Sequence, residues 1–270
     1  MARIWLNHWF STAYNIIGMM RRDDPEFTII GSNKNERSVI SDVCDEWYCE
    51  PAELKGEEYA EFCLSFCREH GVDVFMPRRE MLAVAKRMDE FERIGVRVMS
   101  DGYHIVSVLN HKDRAYRLLA ERGVSTIPEY IIVRTADDFS AAYRELKKRY
   151  RQVSFKFVHD EGGKSFRLIN NSRRGYEALF KKQTTRITFD EAFAALSDKE
   201  EFSPVMVMPY LSGVEISADC LNTEDGLIML PRIKDATRVE KMCFDEEVVR
   251  LIREVYDAVR LECPCNIQFK

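Results

Sequence analysis

The segment Val153-Ser154-Phe155-Lys156-Phe157-Val158 runs into His159-Asp160-Glu161-Gly162-Gly163-Lys164-Ser165 and then into Phe166-Arg167-Leu168-Ile169-Asn170. Period-two alternation in the first part puts Val153, Phe155 and Phe157 on one face and Ser154, Lys156 and Val158 on the other, as in a β-strand. The last part reads as a second strand, so a short loop with paired glycines joins them. Such glycines free backbone N–H groups to fold over phosphate oxygens, and Lys164 adds a charge. Gly163-Lys164-Ser165 is not a P-loop. That motif needs glycine at position 158, where valine stands, and a helix after the loop, where a strand is expected. A plain hairpin turn has the same composition. Lys156 could equally snorkel from a sheet edge or meet an α- or β-phosphate.

Downstream, Thr188 and Glu191 open a capped helix through Leu196, and strands are expected over 205–209, 215–221 and 227–230. Glu215, Ser217 and Asp219 share one strand face, which suits solvent or a polar cleft. An amphipathic helix over 245–261 turns Val248, Val249, Ile252, Val255 and Val259 inward, and a strand follows over 265–269. In that strand Asn266, Gln268 and Lys270 face away from Cys265, Ile267 and Phe269. Upstream, a helix over 111–122 carries Lys112 in its first turn, and a strand over 129–133 follows. Thr135 and Asp138 then form a capping box before a helix that buries Phe139, Ala142, Tyr143 and Leu146.

The first hundred residues alternate differently. Strands are expected over 3–6, 27–31, 72–76 and 96–100, with a helix over 57–70 stopped by Gly71. Repeated strand–helix–strand order implies a parallel sheet covered on both faces. The first strand ends in Asn7-His8-Trp9-Phe10-Ser11-Thr12-Ala13-Tyr14, without GxGxxG, which disfavours a nicotinamide dehydrogenase. The change in character near residue 100 divides the chain into two domains, 1–100 and 101–270.

The 40 Lys+Arg and 45 Asp+Glu residues interleave to a net charge of −5, so neither nucleic acid nor an anionic membrane is an expected partner. No run of about 18 apolar residues would span a bilayer. The eight cysteines form no CxxC pair and the five histidines are scattered. They read as buried free thiols in a reducing, cytoplasmic setting.

In their order and spacing these pieces resemble the ATP-grasp superfamily, particularly its carbamoyl-phosphate-synthase-like branch. The resemblance runs from Asp73-Val74-Phe75-Met76-Pro77 with Glu80, through His111-Lys112-Asp113, Phe155-Lys156-Phe157 and the glycine loop, to Met208-Pro209-Tyr210-Leu211-Ser212-Gly213-Val214-Glu215 and Asn266-Ile267-Gln268-Phe269. It implies an α/β chain: a Rossmann-like pre-ATP-grasp sheet, then an ATP-grasp α+β domain with a lid subdomain over about 125–204.

The resemblance also implies roles. Lys112 and Lys156 would hold the nucleotide phosphates, with Gly162, Gly163, Lys164 and Ser165 closing over them. Pro209, Tyr210 and Leu211 would meet the adenine through backbone groups, and Glu215 the ribose. Arg232, Lys234 and Arg238 would steady the transferring phosphoryl group, and Gln268 would sit by Mg²⁺ or Mn²⁺. The implied activity is an ATP-dependent carboxylate–amine (or thiol) ligase working through an acyl-phosphate on small-molecule substrates. The alternative is a nucleotide-binding pseudoenzyme or regulatory module. A homodimer is possible and not specified. Two departures stand out. Pro209 occupies the hinge position that usually holds Glu. The family's Glu-x-Asn metal pair belongs on a strand after Gln268, so a form truncated before its last metal ligands is expected.

Overall fold

Trp5 and its neighbours Ile4 and Leu6 point to opposite sides of the first strand, and each side is buried. This requires a sheet covered on both faces. The computed structural model, which describes residues 1–23, 26–160, 162–172, 185–234 and 239–270, has that arrangement. Two units are distinguished: Met1–Ser107 with Leu261–Cys263, and Val108–Arg260 with Pro264–Lys270.

The first unit contains β1 (Arg3–Asn7), α1 (Ala13–Asp23), β2 (Thr28–Asn33), a 3-10 turn (Val39–Val43), β3 (Glu46–Cys49), α2 (Gly56–His70), β4 (Val74–Met76), α3 (Met81–Lys86), α4 (Met88–Arg93) and β5 (Arg97–Val98). Helix α5 (Tyr103–Leu109) carries the chain across the boundary. The sheet order is β3-β2-β1-β4-β5, with every pair parallel. On one face Trp5 stacks between Phe66 and Phe75, each 4.2 Å from its ring centroid. On the other Ile4, Leu6, Ile17, Ile29 and Ile40 form a separate core. Gly31 is required by packing, since a Cβ there would lie 2.5 Å from Cys44 Sγ and 2.8 Å from the Trp47 ring. Gly71 stops α2 in the left-handed region, at φ 59°. The structure adds β3 and the short helices α3, α4 and α5, and trims the last expected strand to two residues at the sheet edge.

The second unit contains α6 (Lys112–Glu121), β6 (Ile131–Val133), α7 (Ala136–Lys147), β7 (Val153–Phe157), β8 (Arg167–Ile169), β9 (Arg186–Ile187), α8 (Phe189–Ser197), β10 (Val205–Pro209), β11 (Glu215–Thr223), β12 (Gly226–Lys234), β13 (Glu240–Met242), α9 (Glu246–Val259) and β14 (Cys265–Phe269). One sheet runs β6-β10-β7-β8-β9 and the other β13-β12-β11-β14. Val153 and Phe155 join the core beneath α7 and α8, while Val158 on the opposite face packs with Met206 and Met208. The alternation read from the sequence therefore holds. In the second sheet Ala218, Cys220, Cys265 and Ile267 pack on Ile252 and Tyr256 of α9, and the other face is polar toward Glu215, Ser217 and Asp219 and apolar and exposed at Leu221, Ile228 and Leu230. The Thr188–Glu191 capping box is complete. At α7 the Thr135 hydroxyl accepts from the Asp138 N–H, but the return bond of the expected box is not made.

Candidate functional site

Two antiparallel strands of the second unit bring part of the expected set together. The pairing of β7 with β10 sets Ser154 beside Met208 and Lys156 beside Met206. The chain leaving β10 supplies Pro209, Tyr210 and Leu211, and Glu215 starts β11. With Gly163 and the end of β14 they enclose a cavity of about 440 Å³. Lys156, Gly163, Pro209, Tyr210, Leu211, Glu215 and Gln268 line it; Lys112, Gly162, Lys164, Ser165, Arg232 and Lys234 do not. Arg238, expected with Arg232 and Lys234, lies outside the described residues.

Lys156 is the most informative group. Its ammonium lies 3.5 Å from the Tyr116 hydroxyl and 5.6 Å from that ring's centroid, and no carboxylate pairs with it among the described residues. Burial pushes its pKa below the usual lysine value. Lys112 stands at the base of the glycine loop and donates to the carbonyls of Asp160 at 2.7 Å and Val158 at 3.4 Å. Its pKa is also lowered, first by burial and then by the Lys156 charge, with Asp160 opposing. Two mutually repelling cations would be relieved by an anion.

The loop is a turn with Gly162 and Gly163 at φ 64° and 65°, which favours glycine, and a strand follows it. The Asp160 carboxylate accepts from the Ser165 N–H at 2.9 Å and hydroxyl at 2.6 Å, and Ser165 Oγ accepts from the Phe157 N–H at 2.9 Å. This clamp was not anticipated. At the hinge the Tyr210 N–H is committed to the Gln152 carbonyl at 2.9 Å. The Tyr210 N–H is thus engaged beside the sheet and is not offered to the cavity. The Leu211 N–H makes no such bond among the described residues.

On the polar face of the second sheet, Glu215 lies across from Lys234, with 3.9 Å between Oε1 and Nζ. Ser217 lies between Arg232 and Gln268. No group of three or more His, Cys, Asp or Glu side chains gathers among the described residues. Gln268 offers one neutral oxygen, so a hard divalent ion here would draw most of its ligands from phosphate oxygens and water. Tyr116, Ser154, Phe166, Met208, Phe269 and Lys270 also line the cavity and were missed. Tyr116 lies four residues after Lys112 on α6, a spacing that puts both on one helix face. The Lys270 ammonium is 5.4 Å from the Tyr210 ring centroid.

Residues 201–270 match the family described as ATP-grasp in the biosynthetic pathway with Ter operon. No curated protein matches the chain by sequence. Among solved structures, the ADP complex of purK, N5-carboxyaminoimidazole ribonucleotide synthetase, superposes with a TM-score of 0.69 at 11% identity, covering 99% of this chain and 66% of that one. An L-amino acid ligase from Bacillus licheniformis gives 0.69 at 12%, covering 99% and 63%. The biotin carboxylase domain of Hydrogenobacter thermophilus 2-oxoglutarate carboxylase, with MgADP, ADP and bicarbonate, gives 0.62 at 14%, covering 99% and 60%. This chain thus spans under two thirds of each of these structures. It has the ATP-grasp fold, as the resemblance to that superfamily implied. Among the described residues no helix is long and apolar enough to cross a membrane.

Proposed function

We propose that the chain carries the nucleotide site of an ATP- and Mg²⁺-dependent ligase that joins a small-molecule carboxylate to an amine or thiol. The observation that carries this reading is Lys156, a largely buried cation on the cavity wall without a carboxylate partner among the described residues. Lys156 and Lys112 would bind phosphate oxygens. The Pro209 carbonyl would accept from the adenine amine, the Leu211 N–H would donate to the ring, and Glu215 would hold the ribose. Arg232, Lys234 and Arg238 would offset charge on the transferring phosphoryl group. Mg²⁺, held by phosphate oxygens and Gln268, would neutralise further charge. A carboxylate oxygen would attack the γ-phosphorus as its bond to ADP breaks. The amine or thiol would then displace phosphate from the acyl carbon. The eight free cysteines support a reducing, cytoplasmic setting.

Titration calorimetry tests the reading. ATP should bind in the presence of Mg²⁺, and failure of ATP and ADP to bind would end it. A second reading, a nucleotide-binding module without turnover, is favoured by the lack of a clustered carboxylate site among the described residues. Phosphate release measured across a panel of carboxylates and amines separates the two.

A further inference from the structure

We infer that Asp219, itself held by Asn266, is a positioning residue that fixes the aim of the Arg232 guanidinium. The inference rests on the proposed phosphate-handling role of this sheet face and deepens it. Strand β11 lies between β12 and β14, and its antiparallel registers set Asp219 beside Asn266 and Ser217 beside Arg232. Asp219 Oδ2 accepts from Arg232 Nη2 at 2.5 Å, and Asp219 Oδ1 accepts from Asn266 Nδ2 at 2.6 Å. The Asn266 amide is held in turn by Ser217, whose Oγ accepts at 2.9 Å and donates to Asn266 Oδ1 at 3.2 Å. On the far side Arg232 Nη1 lies 3.1 Å from Glu240 Oε2. Arg232 Nε is buried and has no partner among the described residues.

An exposed ion pair between two flexible side chains fixes little, because each must be ordered. Here the ordering is done in series. Ser217 orients Asn266, Asn266 orients the carboxylate, and the carboxylate holds one end of a planar guanidinium whose other end meets Glu240. A charge-assisted bond to Asp219 at one end and an ion pair with Glu240 at the other hold the plane. Both Asp219 oxygens are committed, and a metal ion bound to them would face the Arg232 cation. The arrangement therefore suits positioning better than metal ligation.

The test uses the full chain, with Mg²⁺ present, and titrates ATP and ADP separately into wild type, Arg232→Gln, Asp219→Asn, Asp219→Glu and Asn266→Leu. ATP should bind about tenfold tighter than ADP in wild type, the scale of one charge-assisted contact. Arg232→Gln should abolish that preference. Asp219→Asn and Asn266→Leu should remove most of it while leaving the ADP Kd unchanged within about twofold, and Asp219→Glu should restore part. Tighter ATP binding in Asp219→Asn would mean that the carboxylate competes with phosphate, and would overturn positioning. Equal losses for ATP and ADP with a lowered melting temperature would reduce Asp219 to a structural role. Weaker Mn²⁺ binding to the ADP complex of Asp219→Asn would make it a metal ligand. Arginine ¹⁵N NMR supplies a readout without nucleotide. Wild type should show resolved, slowly rotating Arg232 Nη signals that average in Asp219→Asn. If wild type binds no nucleotide yet shows restrained Nη signals, the nucleotide reading fails and positioning stands. Averaged signals in wild type overturn positioning whatever binds.

Discussion

Glu50–Arg79 in the first unit and Lys112–Lys156 in the second are both charged clusters near strand ends, and they are handled in opposite ways. Arg79 is fully enclosed. Its Nη1 lies 3.1 Å from Glu50 Oε2 and 2.9 Å from the Pro51 carbonyl, Nη2 meets the carbonyls of Ala52 and Leu54, and the guanidinium lies 4.0 Å from the Tyr59 ring centroid. Glu50 also accepts from Ser32 at 2.9 Å and from Tyr59 at 2.8 Å, while Trp5 donates to Ser32 and Asn7 to Tyr59. The charge is paired within the protein near the carboxyl ends of a parallel sheet, where such folds often bind ligands, although Arg79 Nε has no partner among the described residues. Among the described residues Lys156 has a tyrosine beside it and no carboxylate. A buried charge paired inside the chain is a structural device, whereas one beside a cavity with no carboxylate among the described residues is a candidate for ligand binding.

The largest effect that would break this contrast is on stability of the first unit. Arg79→Met should destabilise it by about 3–5 kcal/mol, because Glu50 is left as an uncompensated buried carboxylate. All three tryptophans, Trp5, Trp9 and Trp47, lie in that unit, so intrinsic fluorescence during denaturation reports it. The double variant Glu50→Gln/Arg79→Met should recover a good part of the loss. A single-variant loss below about 1 kcal/mol would place the cluster with surface pairs of little value.

Lys156→Met should separate stability from binding. It removes a desolvated cation, so the melting temperature should hold or rise. It also removes a phosphate contact, so ATP affinity should fall by roughly 1.5–3 kcal/mol, read by calorimetry. A variant that loses stability along with binding would make Lys156 a packing residue. The pH dependence carries the same sign. Folding lowers the pKa of Lys156 below its unfolded value, so the folded state disfavours the ammonium form. This contribution to stability is fully favourable above the unfolded pKa and is lost as pH falls through the folded one. Binding runs the other way. ATP affinity should weaken as pH rises toward the ordinary lysine range near ~10.4, and less so in Lys156→Met.

The parts of this contrast differ in how far the sequence carried them. The strand placement of Lys156 and Glu215 and the loop placement of Gly163 were legible because strand alternation and the glycine pair are local signals, whereas their shared site was implied only by the family resemblance. So was the sharing of one face by Glu215, Ser217 and Asp219. The Glu50–Arg79 cluster joins side chains 29 residues apart in the chain, and no local pattern marks it. Strand β3 and helices α3 and α4 are four to six residues long, too short for periodicity to register. The commitment of the Tyr210 N–H depends on Gln152, whose position beside it comes from strand pairing. Arg232 and Lys234 were read as one basic strip. The structure instead gives each a carboxylate, Asp219 and Glu240 for Arg232 and Glu215 for Lys234.

The smallest expected effect concerns the glycine loop, which lies between the two extremes. It is exposed at Gly162, Gly163 and Lys164, yet the Asp160 carboxylate ties its far end through two bonds to Ser165. Without that clamp the loop has little to hold it, since its glycines bury nothing and a Cβ at either would meet open space. Asp160→Ala removes both bonds but leaves the backbone carbonyl that accepts from Lys112. The cost should be about 1 kcal/mol, seen as amide exchange at residues 162–166 faster by roughly fivefold while β7 and β10 keep their protection. ATP affinity should change little, because Lys156, Pro209, Leu211 and Glu215 are untouched. Unchanged exchange would show that the clamp does not hold the loop. A fall in ATP affinity as large as that of Lys156→Met would make Asp160 part of the binding site itself.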